Sequence, residues 1–200
     1  MTNDDLFPEE DGSTPLTAEE KKELIVKDAF TRGQLNELEA RNIAHALIWA
    51  EADSWLKKNL LSVSGIKHLH KEMFKEVWRW AGDFRTSMKN VGNIEVKHVQ
   101  SEVHQIATNT ELAVKQKTYP LNEIAVRLHH RLLWIHPFPN GNGRHARAMA
   151  DLLLQFNGDA PLTWGKSLSS DRKKQRDKYL EAVRKADKQD FEDLVKFATL

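Results

Sequence analysis

Apolar side chains recur every three or four residues along most of the chain, and this spacing predicts a mainly α-helical fold. Capping boxes at Thr17-Ala-Glu-Glu20 and Thr31-Arg-Gly-Gln34 predict two helix starts. On the helix behind Thr31, the apolar positions are Leu35, Leu38, Ile43, Leu47 and Ala50. Further helices are predicted from about Ser64 to Trp80 and over 101–117, 121–135, 144–156, 171–186 and 190–198.

The stretch from Gly82 to Val99 has a different pattern. Phe84, Met88, Val91, Ile94 and Val96 are interleaved with polar residues, and Gly92-Asn93 offers a turn. This alternation predicts one short β-hairpin within an otherwise helical domain.

Composition narrows the class of protein. The 200 residues suit one domain over 17–200, preceded by a disordered acidic tail over 1–16. The net charge of +1 gives no general attraction to nucleic acid or membranes, and no apolar run is long enough to span a bilayer. Cysteine is absent, which excludes disulfides and thiolate sites and suits a cytoplasmic protein.

One segment joins two predicted helices and reads His136-Pro-Phe-Pro-Asn140-Gly-Asn-Gly-Arg144-His-Ala-Arg147. Pro137 and Pro139 stop the first helix and stiffen the connection. Phe138 lies between them as an apolar plug that pins the loop to the core. The segment therefore predicts a fixed loop between two helices.

The second half of this loop has the chemistry of an anion site. Gly141 and Gly143 let a ligand approach the main chain, and the loop opens into a helix N-terminus, which favours an anion. Arg144 and Arg147 are three residues apart, so they share one helix face and could both reach a polyphosphate. With His136 at its lip, the loop predicts a phosphate site with a base.

Simpler interpretations explain less. An ordinary turn with Arg147 paired to Asp151 leaves Arg144 and His136 without a role. A relaxed Walker A string at 160–167 lacks the buried strand that the motif needs. The basic run at 172–178 is typical of a solvated helix face, without an aromatic platform for nucleic acid.

A metal hydrolase is also a poor fit, because the clustered histidines lack a chelating spacing. His129 and His130 point about 100° apart on a helix. We expect His145 to lie at the surface or behind the loop.

The segment from His136 to Arg147 resembles the Fic-family signature His-Pro-Phe-x-(Asp/Glu/Asn)-Gly-Asn-Gly-Arg-x-x-Arg. Residues 70–85 resemble the family's helix and the Trp-Ala-Gly-x-x-Arg string before a hairpin called the flap. Trp164-Gly-Lys and Tyr179-Leu-Glu-Ala182 resemble its C-terminal part. The resemblance covers most of the chain from about Thr31 onward. Within the family, the chain is similar to a bacterial branch labelled mobile mystery protein B. It implies a Fic-type helical domain with a small β-hairpin flap.

The resemblance implies a protein adenylyltransferase that moves AMP from ATP to a Ser, Thr or Tyr hydroxyl of another protein. His136 would be the general base, Asn142 and Arg144 would contact the α- and β-phosphates, and Arg147 would reach the β/γ end. The target protein would add as a strand along the flap, about Thr86 to Val96. The remaining residues implied to bind nucleotide are Phe138, Asn140, Gly141, Gly143 and Tyr179.

Two departures from the family pattern affect these expectations. Asn140 stands where many members carry an acid that holds Mg²⁺, so we expect magnesium to bind mainly through the nucleotide, with weak help from Asn140. The inhibitory string of many relatives is missing, because Ser167-x-x-x-Asp171 is followed by Arg172. Restraint would then come from an inhibitory, antitoxin-like partner protein, unless this chain is weakly active without restraint. The alternatives left open are a Fic enzyme that uses another nucleotide and a weak or degenerate Fic protein that only binds nucleotide or a partner.

Overall fold

A computed structural model of the chain describes residues 17–26, 31–89, 94–166 and 171–200. Over these residues the fold is mainly α-helical, as predicted. The helices are α1 (Ala18–Lys22), α2 (Arg32–Ala52), α3 (Ser54–Asn59), α4 (Val63–Phe74), α5 (Val99–Gln116), α6 (Leu121–Ile135), α7 (Asn142–Phe156), α8 (Arg172–Ala186) and α9 (Glu192–Thr199). A short 3₁₀ turn at Val96–His98 precedes α5. The predicted tail over 1–16 lies outside the described residues.

Both predicted capping boxes are confirmed. The Thr17 hydroxyl accepts the Glu20 N–H, and the Glu20 carboxylate accepts the Thr17 N–H. Thr31 and Gln34 exchange the same pair of bonds at the start of α2. Helix α7 has Gly141 as its N-cap, so no side chain caps its N-terminus. The first N–H groups of α7 therefore face the loop.

Helix α6 lies at the centre of the fold and packs against α5, α7 and α9, while α2 packs against α4 and α7. The buried apolar side chains of α6 are Ile124, Ala125, Val126, Leu128, Leu132 and Ile135. The loop between α6 and α7 is therefore fixed at both ends by helices of the core. Among the described residues, no helix has the length and apolar character required to cross a bilayer.

The predicted helix from Ser64 to Trp80 was wrong at its C-terminal end, because α4 stops at Phe74. Beyond that point the backbone bonds to the N-terminal segment instead. Ile25 N–H donates to the Val77 carbonyl and Arg79 N–H donates to the Glu23 carbonyl, each at 2.9 Å. This pairing takes the polar groups that a longer helix would need for itself.

The predicted hairpin is not seen as strands in the described residues on either side of the gap at 90–93, and its Gly92-Asn93 turn lies outside the described residues. Arg85 gives a physical reason. Its guanidinium donates to the carbonyls of Ser87 and Ile94, one from each arm of the flap. These acceptors are bound by a side chain, where a hairpin would use cross-strand bonds.

Candidate active site

His136 ends α6 in a left-handed conformation, with φ 52° and ψ 60°. Its N–H still donates to the Leu132 carbonyl, so the residue caps the helix and turns the chain into the loop. A side chain with positive φ is uncommon and requires support from its surroundings. The residue is only 5% exposed, so its side chain is buried.

The Asn142 side chain closes the loop on itself. Its Oδ1 accepts the Phe138 N–H and its Nδ2 donates to the Phe138 carbonyl, both at 2.9 Å. Asn142 is only 3% exposed. The side chain thus shapes the loop and is engaged within it.

His70 contacts the loop at two residues, Phe138 and Asn140. Its ring stacks on Phe138 at 3.7 Å between centroids, and Phe138 is fully buried as the predicted plug. Nδ1 accepts the Gly82 N–H at 2.9 Å, so Nε2 carries the proton and donates to the Asn140 carbonyl at 3.1 Å. Burial and the neighbouring His145 hold the pKa of His70 well below its ordinary value. The neutral ring therefore joins Gly82 to the loop.

His145 also lies behind the loop, which is one of its two predicted positions. It is 1% exposed, and its Nε2 hydrogen-bonds the Ile66 carbonyl at 3.0 Å. Burial lowers the pKa of His145 to about 3. The residue links α7 to α4 as a neutral group.

Arg85 ties the loop to the flap. Its guanidinium is buried, and its Nε donates to the His136 carbonyl at 2.8 Å. Its backbone N–H donates to the Pro137 carbonyl at 2.9 Å. Together with the bonds to Ser87 and Ile94, this one side chain joins the described residues on both sides of the gap at 90–93 to the candidate base.

The environment of His136 keeps its imidazole neutral. Burial lowers the pKa to about 4, a hydrogen bond with the Leu133 carbonyl raises it, and the nearby charges of Arg85 and Lys89 lower it further. A neutral imidazole at pH 7 can accept a proton. The residue therefore has the protonation state that a general base requires.

The two arginines of α7 point to different anchors. Arg144 donates from Nη1 to Glu39 at 2.7 Å and lies 5.0 Å over the Phe74 ring. Arg147 lies against the rings of Trp164 and Tyr179, at 5.4 Å and 4.8 Å from their centroids. Both guanidinium groups are thus held beside the N-terminal turns of the same helix.

Tyr179 is engaged within the molecule. Its hydroxyl hydrogen-bonds His129 Nε2 at 2.9 Å and also bonds Arg147. Asp151 accepts from the indole of Trp164 and from the N–H of Leu162. The Asp151 carboxylate therefore holds the Trp164 ring, against which Arg147 lies. The ordinary-turn interpretation would instead pair Asp151 with Arg147 directly.

The loop itself fits a magnesium ion poorly. Asn140 Oδ1 already accepts the Gly141 N–H at 2.6 Å, and an amide is a neutral donor. Magnesium prefers one or two carboxylates together with substrate phosphates. Among the described residues no group of three or more histidine or acidic side chains is arranged to hold a metal.

Sequence reasoning missed three residues of this site, namely Glu39, His70 and Arg85. A signal existed for Glu39. The fully buried stripe of α2 comprises Leu35, Glu39, Asn42, Ala46 and Ala50. An acid at an inward position of a helix requires a buried partner, and the sequence shows that position at the spacing of one helix turn.

Comparisons with known proteins agree with the motif. Residues 60–154 match the family model described as Fic/DOC family. The chain is 30% identical over 84 residues to protein adenylyltransferase fic-1 of Caenorhabditis briggsae, a match covering 41% of this chain and 17% of that protein. The chain thus spans a small part of this curated relative.

Solved structures show the same fold. Fic-1 from C. elegans (residues 134–508, E274G) superposes with a TM-score of 0.66 at 22% identity, over 90% of this chain and 51% of that chain. BepC from Bartonella tribocorum, solved with bound AMPPNP, gives 0.64 at 16% identity over 95% and 93%. The resemblance to the Fic family and the mainly α-helical class are therefore confirmed.

Proposed function

We propose that this chain, whose residues 60–154 match the Fic/DOC family, transfers AMP from ATP to a hydroxyl group of a target protein. The observation that carries the proposal is a buried, neutral His136 at the lip of a loop that opens into the uncapped N-terminus of α7. Arg144 and Arg147 lie on that helix beside the loop. This combination places a base next to a site for a polyphosphate.

In the proposed reaction, the target oxygen attacks the α-phosphorus of ATP. The bond between the α-phosphorus and the oxygen that bridges it to the β-phosphorus breaks, and pyrophosphate leaves. The hydroxyl proton passes to His136. The pKa of about 4 in the unliganded protein would rise once an anionic nucleotide lies beside the ring, because a nearby negative charge favours the imidazolium form.

The negative charge that builds on the phosphates needs fixed donors. We expect these to be the first N–H groups of α7, including those of Asn142 and Gly143, with the side chains of Arg144 and Arg147. Glu39 holds Arg144, and the rings of Trp164 and Tyr179 hold Arg147. Donors that need no rearrangement are the ones that stabilise a transition state best.

Two parts of the proposal concern partners. A target segment would dock along Thr86 to Val96, using backbone groups other than the Ser87 and Ile94 carbonyls that Arg85 occupies. Restraint by an antitoxin-like partner stays a prediction. Asp171 is the acid in the string that was compared with the inhibitory string. It caps the N-terminus of α8 by accepting the Lys173 and Lys174 N–H groups, so its role here is to start that helix.

The test is label transfer from α-³²P-ATP onto protein in a cell lysate, with wild type, His136→Ala and the surface control His104→Ala. We expect label with wild type and His104→Ala and none with His136→Ala. A parallel reaction with γ-³²P-ATP should add no label above that of lysate alone, since the γ-phosphate departs in pyrophosphate. Label from the γ-position that wild type adds above that background would indicate a different transfer and contradict the proposal.

Parallel reactions with α-labelled GTP and UTP test the choice of nucleotide. Label from one of these and none from ATP would keep the mechanism and change the substrate. Calorimetric binding of ATP without transfer of any nucleotide would favour the degenerate alternative, in which the loop binds nucleotide but does no chemistry.

A further inference from the structure

Arg144 is held by a carboxylate from a distant part of the chain. Glu39, in the middle of α2, accepts its Nη1–H at 2.7 Å through Oε2. The Glu39 side chain is 4% exposed, whereas the Arg144 side chain is 39% exposed. The acid end of the pair is therefore fixed in the core while the guanidinium reaches the surface of the site.

Glu39 is itself anchored. Its second oxygen, Oε1, accepts the indole N–H of Trp78 at 2.6 Å. The carboxylate thus faces two donors with its two oxygens. A glutamine has one acceptor oxygen and an NH₂ group, so it would turn a donor toward either Trp78 or Arg144.

The pair leaves Arg144 able to bind an anion. Glu39 takes one of the five N–H donors of a guanidinium. The guanidinium lies over the Phe74 ring, and the same ring lies directly beneath Gly141, where an added Cβ would meet its Cζ at 2.4 Å. Glu39 and Phe74 therefore hold Arg144 beside the start of α7.

We propose that Glu39 is a positioning residue, which orients Arg144 for the phosphates of the nucleotide; the proposal rests on the function proposed above. A restraining acid would have to withdraw when nucleotide binds. Glu39 belongs to the buried stripe of a 21-residue helix that packs against α4 and α7, and its Oε1 is held by Trp78, so it is fixed in place. A fixed acid reduces the freedom that the arginine would lose on binding, which favours affinity.

The test uses Glu39→Gln in the full chain, with Glu37→Gln, an exposed acid two residues away on α2, as the matched control. We measure the dissociation constant of ATP by calorimetry and the KM and kcat of transfer. We expect Glu39→Gln to raise the dissociation constant and KM about tenfold, with a smaller change in kcat. Trp78→Phe, which removes only the anchoring N–H, should shift the same constants in the same direction by less.

A role in folding alone would lower the melting temperature and leave the KM of the folded protein unchanged, which would overturn the proposal. Tighter ATP binding by Glu39→Gln would also overturn it, since it would make Glu39 a restraint. A third readout is independent of activity. The ¹⁵N relaxation of the Arg144 Nε–H group should report an ordered side chain in wild type and a mobile one in Glu39→Gln.

If wild type transfers no nucleotide, the proposed function fails, and the Arg144 relaxation still decides the role of Glu39. Equal order of Arg144 in wild type and Glu39→Gln would refute the positioning role, whatever the outcome for transfer.

Discussion

Gly141→Ala tests whether the loop is packed as tightly as the structure indicates. Gly141 has φ +77°, a backbone conformation that an L side chain rarely adopts. A Cβ at this position would lie 2.4 Å from Cζ and 2.6 Å from Cε2 of Phe74. Phe74 is fully buried, so its ring has little room to move away.

Two contributions set how far Gly141→Ala should lower the stability of the protein. The left-handed conformation costs a residue with a Cβ about 1–2 kcal/mol. Forcing a methyl group into a packed core costs about 1–3 kcal/mol. We therefore expect Gly141→Ala to lower the free energy of unfolding by about 3 kcal/mol, which is a fall of roughly 6–12 °C in melting temperature for a chain of this size.

Gly143→Ala is the matched control, because Gly143 lies within the first turn of α7 and has only Leu133 Cδ2 near an added Cβ, at 3.9 Å. Alanine there should leave stability unchanged or raise it by about 0.5 kcal/mol. It should nevertheless weaken ATP binding if phosphate approaches the main chain at this point. Urea unfolding measures the first effect and calorimetry the second.

Equal unfolding free energies for Gly141→Ala and wild type would refute the packing argument. A loss of more than 1 kcal/mol in Gly143→Ala would refute the distinction between the two glycines, and unaltered ATP affinity in Gly143→Ala would show that nucleotide does not approach this part of the backbone.

Two further predictions concern stability. The pKa values of His136 and His145 in the folded chain, about 4 and about 3, lie below the ordinary 6.5. Stability that is complete above pH 6.5 is therefore lost as the pH falls, by about 2 kcal/mol for each at pH 5, and equal urea midpoints at pH 7 and pH 5 would contradict this. Arg85→Lys should lower the free energy of unfolding by about 2–4 kcal/mol. The guanidinium reaches three carbonyls through three separate nitrogens, and the single nitrogen of an ammonium cannot lie within bonding distance of all three. The exposed Arg79→Lys is its control, and the prediction fails if both variants unfold at the same urea concentration.

Much of the fold could be predicted from short-range patterns in the sequence. The bounds of α6 agree with the prediction, and α7 begins two residues earlier than predicted, because proline, glycine and apolar spacing act between near neighbours. The loop from His136 to Arg147 was recognisable for the same reason. Its chemistry lies within twelve consecutive residues, and its resemblance to the Fic family followed from them.

Only the tertiary structure decided how that loop is supported. Glu39 lies 105 residues before Arg144, and Arg85 lies 51 residues before His136. The spacing of apolar residues on α2 indicated a face with Leu35, Leu38, Ile43, Leu47 and Ala50. Of these, Leu35 and Ala50 belong to the buried stripe, which also includes the acid Glu39. Periodicity reports that a helix has an inner face, but a buried charge is stable only beside a partner, and which partner is available depends on how the helices pack.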